Sequence, residues 1–133
     1  MPDKTLINPP TLARPVGYSH AVKVEGGTTV YLAGQTGQDA SGRIAAPGDI
    51  VAQFRQALHN LKAVAEAAGV ALTDVVKLTL YVTACDTYRA NARAIGAVYR
   101  EFFGSYYPAM TLVEVRRLWD EAAMVEIEGI AVR

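Results

Sequence analysis

Apolar and polar residues alternate from Val75 to Thr83, with Val76, Leu78, Leu80 and Val82 set against Lys77, Thr79, Tyr81 and Thr83. A period of two puts these sets on opposite faces of a strand, one core-facing and the other half polar. Upstream the period changes to 3.6. Val51, Phe54, Leu58, Leu61, Ala65 and Ala68 form one stripe between Asp49, an N-cap, and Gly69, a stop, which predicts a helix of four to five turns. A second stripe of Tyr88, Ala92, Ile95, Tyr99 and Phe102 predicts a helix over 87–103, capped by Asp86 and ended by Gly104. Gly96 lies in its middle and costs about 0.8–1 kcal/mol relative to alanine, so it needs a packing or site reason.

The segment 107–133 reads as two strands, 111–115 and 125–132, joined by a charged connection that contains Arg116, Arg117 and Trp119. Near the start, 20–25 and 28–35 flank Gly26-Gly27, which predicts a hairpin with a two-residue turn. Val30, Leu32 and Gly34 would share one face of it. The missing side chain of Gly34 marks either a close approach by a ligand or backbone, or a β-bulge. Pro2, Pro9, Pro10 and Pro15 make the first residues an extended lead-in over the surface, and 37–48 a polar loop. The order β-β-α-β-α-β-β predicts one α+β domain over 1–133, a mixed sheet with both helices on one face.

Composition turns the uncovered face into the main question. The chain has 133 residues, 51% of them hydrophobic, and two helices to cover five or six strands. Self-association, with clefts between subunits, answers this; a monomer with a solvated sheet face is the alternative. Lys plus Arg and Asp plus Glu are both 13 with no block of like charge, so no nucleic-acid partner is expected. The start, MPDKTLINPP, has no apolar run, and no window approaches the roughly 20 apolar residues of a membrane span, so a cytoplasmic protein with no membrane partner is expected. Cys85 is the single cysteine, which excludes an intrachain disulfide and a cysteine-based metal site and suits a structural role.

Candidate chemistry is sparse. Of the two histidines, His59 lies within the first helix beside Asn60 and reads as a surface residue. His20 opens a strand after Tyr18 and Ser19, with no triad order or nucleophile elbow around it. Glycine-rich phosphate loops and zinc spacings do not occur. The carboxylates remain: Glu126 and Glu128 share a strand face roughly 7 Å apart, with Glu114 a possible third. A glutamate in a dry interface orients a hydrolytic water or takes a proton. From spacing alone, ion pairing with Arg116, Arg117 or a neighbouring lysine accounts for the same residues and comes first.

Taken together, Gly17-Tyr18-Ser19-His20-Ala21-Val22, Val30-Tyr31-Leu32-Ala33-Gly34-Gln35, Ala67-Ala68-Gly69, Tyr99-Arg100-Glu101-Phe102-Phe103, Tyr107-Pro108-Ala109 and Glu126-Ile127-Glu128-Gly129-Ile130-Ala131-Val132 make the chain resemble the Rid (YjgF) family of reactive-intermediate deaminases. The resemblance runs over nearly the whole chain. It implies a chorismate-mutase-like fold, a homotrimer whose sheets form a central barrel, and small-molecule clefts between subunits. It also implies hydrolysis of 2-imino acids and their enamine tautomers to 2-oxo acids and ammonia, without metal or organic cofactor.

Tyr18, Gly34 and Glu126 match the site pattern of that family as aromatic wall, backbone approach and carboxylate near the water. Three positions depart from it. Met110 stands where those members carry a carboxylate-binding arginine, Leu112 where they carry cysteine, and Gly96 where a helical asparagine is often found. The resemblance therefore implies Glu126 as the catalytic residue and Tyr18, His20, Gly34, Gly96, Met110, Thr111 and Leu112 as substrate-binding. The cleft is more apolar than usual, and Arg14, Arg89 and Arg117 are candidates for a replacement cation. Two functions follow: a cofactor-free hydrolase or deaminase of a neutral or differently anchored imine or enamine, or a trimeric metabolite-binding or regulatory module.

Overall fold

The computed structural model describes residues 2–133. The first helix forms as its sequence dictates. In α1 (Ile50–Ala67) the Asp49 side chain accepts the Ala52 N–H at 3.0 Å, and Ile50, Phe54, Ala57, Leu58, Leu61 and Ala65 are buried. At its end Gly69, with φ of +79°, donates to the Glu66 carbonyl while Val70 donates to Ala65, a Schellman ending that satisfies the last turn.

The second predicted helix is two. α2 (Cys85–Ala90) and α3 (Ala92–Phe103) are divided at Asn91, whose ψ of 12° leaves helical geometry and whose side-chain amide donates to the Thr87 carbonyl at 2.9 Å. An asparagine that bonds its own backbone competes with helix continuation. Asp86 is not the cap: the helix begins one residue earlier, and Glu114 accepts the Cys85 N–H at 2.9 Å.

Around these helices β3 (Thr29–Gln35), β6 (Val125–Val132), β4 (Val75–Val82) and β5 (Ala109–Glu114) lie in the order β3-β6-β4-β5. β6 is antiparallel to both neighbours, and β4 and β5 are parallel. This is the expected mixed sheet. α1 connects β3 to β4, and α2 and α3 connect β4 to β5; the core lies between helices and sheet, with Val75, Leu78, Val82, Val125 and Ile127 fully buried. The alternation in β4 begins with Val75 rather than Val76, because an irregularity between Val75 and Lys77 shifts the register.

The N-terminal expectation needs correction. Asp3–Ile7 is a strand, β1, antiparallel to β2 (Ala21–Glu25), and the two form a separate sheet. β2 and β3 flank Gly26-Gly27, both at positive φ as foreseen, but do not pair as a hairpin. β1 takes the hydrogen-bonding edge of β2, while Thr28 and Arg133 exchange N–H···O bonds of 2.7 and 3.0 Å beside the β3–β6 ladder. Gly27 is needed for space as well as for φ: a Cβ there would meet Pro2 and Val132 at 2.9 Å.

Among the described residues no helix packs on the second face of the main sheet. Tyr31 and Val113 point outward there, 79% and 38% exposed. The loops 36–49 and 115–124 cover one end of it through a small cluster of Ile44, Leu118 and Ala123 against Tyr81 and Val115. Among the described residues no helix is long and apolar enough to cross a membrane.

Candidate functional site

Between the sheet and the helices, at the edge strand β5, opens a cavity of about 560 Å³. Leu78 and Leu80 from β4, Ile127 from β6, Phe54 and Leu58 from α1 and Ile95 from α3 form its apolar depth. Met110 and Leu112 project into it because they lie opposite Leu78 and Leu80 in the β4–β5 register, on the helix-facing side. Tyr18 joins the rim. The preceding chain runs along the start of β5, where Ser19 bridges to Ala109, its N–H donates to the Pro108 carbonyl at 3.0 Å and its hydroxyl to the Tyr107 carbonyl at 2.6 Å.

Aromatic stacking builds one wall. Tyr99 stacks on Phe103 and Tyr107 with ring centroids 4.5 and 5.0 Å away, and its hydroxyl donates to the Tyr106 carbonyl at 2.7 Å. Burial pushes the Tyr99 phenol far above its ordinary range and raises that of Tyr88, so both stay neutral at physiological pH. Tyr106 is pushed up to about 12, first by burial and then by Asp74. Among the residues lining the cavity, Arg100 alone carries a charge.

The carboxylates lie on the opposite face. Glu126 and Glu128 alternate with the buried Val125, Ile127 and Gly129, and so point away from the helices. Glu128 accepts the Tyr81 hydroxyl at 2.6 Å, and that bond raises the tyrosine pKa. Glu126 is half-buried, with no hydrogen bond or ion pair among the described residues. Its side chain covers Gly34, where the β3–β6 register shifts between Leu32 and Gln35. Of the two sequence readings Gly34 meets the bulge, and what approaches it is neither ligand nor backbone but a side chain: a Cβ there would come within 2.9 Å of the Glu126 carboxyl carbon. The bulge also turns Gly34 away from the face of Leu32, where the plain alternation had put it.

The sequence-predicted set therefore separates into two groups. Tyr18, Gly96, Met110 and Leu112 meet at the cavity, while Glu126 and Gly34 meet on the outer face. Thr111 also lies on the outer side, accepting Lys77 Nζ at 2.8 Å. His20 does not line the cavity; its Nε2 donates to the Ala13 carbonyl at 2.9 Å and its ring meets Tyr18 edge-on at 5.3 Å, which braces the tyrosine. His59 is exposed.

Among the described residues the β6 carboxylates form no ion pair with Arg116 or Arg117; Arg117 lies 3.8 Å from Glu121. Glu114 is not a third member, since it accepts the N–H at the start of α2. Arg14, Arg89 and Arg117 do not line the cavity. Arg100, which does, was missed by sequence reasoning, although its spacing of four from Gly96 would place the two on one helix face. Among the described residues no group of three or more His, Cys, Asp or Glu side chains could hold a metal ion.

Comparison with known proteins agrees with this architecture. A Yersinia pestis protein of the conserved Rid protein family has a solved structure similar to this chain, with a TM-score of 0.87, 34% identity and coverage of 98% of both chains. The 2-iminobutanoate/2-iminopropanoate deaminase of Dermatophagoides farinae is 40% identical over 133 residues, 99% of this chain and 98% of its own. A RutC family protein of Pyrococcus horikoshii is 40% identical over 119 residues, 89% of each chain. The sequence profile described as Endoribonuclease L-PSP matches residues 11–133, and with these likenesses it shows that the chain belongs to the Rid (YjgF) family.

Proposed function

We propose that the protein is a cofactor-free, deaminase-like hydrolase of an imine or enamine, with Glu126 as its general base. The observation that carries this reading is the Glu126 carboxylate, half-buried over Gly34 and, among the described residues, without a partner that would neutralise it. Such a carboxylate takes a proton from water as the oxygen attacks the C=N carbon. The resulting carbinolamine collapses with protonation of its nitrogen, so that imine and water become a carbonyl compound and ammonia. The deaminase name carried by the Dermatophagoides farinae relative supports this reaction class.

The two halves of the site explain why one chain does not suffice. Met110 and Leu112 face the helices from β5, while Glu126 faces outward from β6. A cleft containing both forms when the β5 edge of one copy meets the outer face of another. The exposed Tyr31 and Val113 on that face favour burial against further copies, and the homotrimer of the family resemblance is the assembly proposed. Tyr18, braced by His20, forms the aromatic wall of the cleft.

Met110 favours a second reading, a metabolite-binding module without chemistry, because a thioether offers a carboxylate neither charge nor donors. Ammonia release from freshly generated 2-iminopropanoate and from imines with larger apolar groups separates the two. Turnover by wild type that Glu126→Gln loses supports the hydrolase; tight binding without turnover of any imine supports the module. Sedimentation equilibrium measures the assembly, and a mass other than three chains overturns the trimer.

A further inference from the structure

The cavity is an apolar chamber with a single cation at its mouth. It is closed at depth by residues such as Leu58, Leu78 and Ile127, none more than 1% exposed, and its volume of about 560 Å³ falls in the range of small-molecule sites. Nothing acidic lines it. The Arg100 side chain forms no hydrogen bond or ion pair among the described residues, in contrast to that of Arg55, which pairs with Glu101. Its Nη1 lies 3.4 Å from the point a Cβ on Gly96 would occupy, so the guanidinium folds back along α3 over the glycine. A single Cβ at 96 would meet the guanidinium at about ordinary contact distance, whereas a longer side chain would compete with it for the space against the cavity.

We infer that Arg100 anchors the carboxylate of an amphipathic monocarboxylate whose bulky aliphatic or aromatic group fills the cavity. The inference rests on the cavity being the substrate half of the proposed site. It assigns to Arg100 the anchoring that Met110 cannot supply, and it sets the substrate class as 2-imino acids with large apolar side chains. The guanidinium fork offers two parallel donors to a carboxylate.

The test uses an unreactive probe, 4-phenylbutanoate, with 4-phenylbutanamide as its neutral counterpart, titrated calorimetrically into the full-length protein. Wild type is expected to bind the carboxylate at least tenfold more tightly than the amide. Arg100→Gln, a substitution at an exposed side chain without partners, is expected to remove that preference and leave amide affinity unchanged. Gly96→Leu, which fills the mouth, is expected to weaken both. Equal affinity of wild type for the two probes, or an unchanged preference in Arg100→Gln, overturns the assignment.

Glu126→Gln distinguishes failure of this inference from failure of the hydrolase reading. If its probe binding stays intact and wild type turns over no imine, the anchor stands without the chemistry. Turnover in wild type that Arg100→Gln retains with unchanged KM on large apolar imino acids leaves the chemistry standing and removes the anchor.

Discussion

Glu126 fills the space in front of Gly34: a Cβ at position 34 would come within 2.9 Å of the Glu126 carboxyl carbon and 3.0 Å of its Cγ. Gly34 does not adopt positive φ, so what the position requires is room rather than backbone freedom. Gly34→Ala is therefore expected to fold, at a cost of about 1 kcal/mol, while swinging the carboxylate aside. Ammonia release should fall by about tenfold to a hundredfold, towards the level of Glu126→Gln. Thermal unfolding checks the first statement and steady-state kinetics the second; full activity in a folded Gly34→Ala protein would mean that the carboxylate position is irrelevant to turnover.

Met110→Arg would place a guanidinium on the cavity rim from β5, opposite Leu78 in register. A charge-assisted contact contributes about 1.5–3 kcal/mol, equivalent to roughly tenfold to a hundredfold in affinity. KM for 2-iminobutanoate should fall by at least about tenfold, with kcat changed less, because the new contact forms with bound substrate and with transition state alike. An unchanged KM would place Met110 off the substrate path.

What the sequence showed and what it hid divide along physical lines. α1 was readable because its signals are local: Asp49, the apolar stripe and Gly69 act within one helix. β4 was readable because it is central and half-buried. The pairing of β1 with β2 was not, because both strands are short and unlinked by a tight turn, and β1 is mostly exposed. The break at Asn91 depends on one side chain competing for the Thr87 carbonyl, which periodicity does not register. Site residues were recognisable one at a time, but their sorting onto two sheet faces depended on register and on the bulge at Gly34, both properties of paired strands. Arg100 was hidden because an arginine on a helix normally reads as solvated.

Gln53 is a polar residue with no exposure at all, in the buried face of α1. Its Nε2 donates to the carbonyls of Ala46 and Ala122 at 3.0 and 3.1 Å, and its Oε1 accepts the Met124 N–H at 2.8 Å. One amide thus ties both loops that cover the end of the outer face. Gln53→Leu keeps the bulk but leaves the Ala122 carbonyl and the Met124 N–H without partners, and the Ala46 carbonyl with the Asp49 N–H alone. A loss of about 2–4 kcal/mol is expected, measured by urea unfolding, with faster hydrogen exchange at Met124. A loss below about 0.5 kcal/mol would mean that water replaces the amide and the loops are not held by it.

Asp74 gives stability a pH dependence with a definite sign. Burial alone would raise its pKa, but the Ala71 N–H at 2.8 Å, Lys4 at 3.2 Å and the more distant Arg133 together hold it below the ordinary carboxylate value. A depressed folded pKa means that the ionised group contributes stability above its unfolded pKa of about 3.9, and that the contribution is lost as pH falls through the folded value. Asp74→Asn keeps an acceptor for Ala71 and removes only the charge. At pH 7 the variant should be less stable than wild type by a few tenths to about 1 kcal/mol. The difference should persist at pH 5 and shrink below about pH 4, as wild-type Asp74 takes up its proton. Urea midpoints at pH 7, 5 and 3 measure it, and a difference that stays constant down to pH 3 would mean that the Asp74 charge, and with it the ion pairs with Lys4 and Arg133, does not carry the stabilisation.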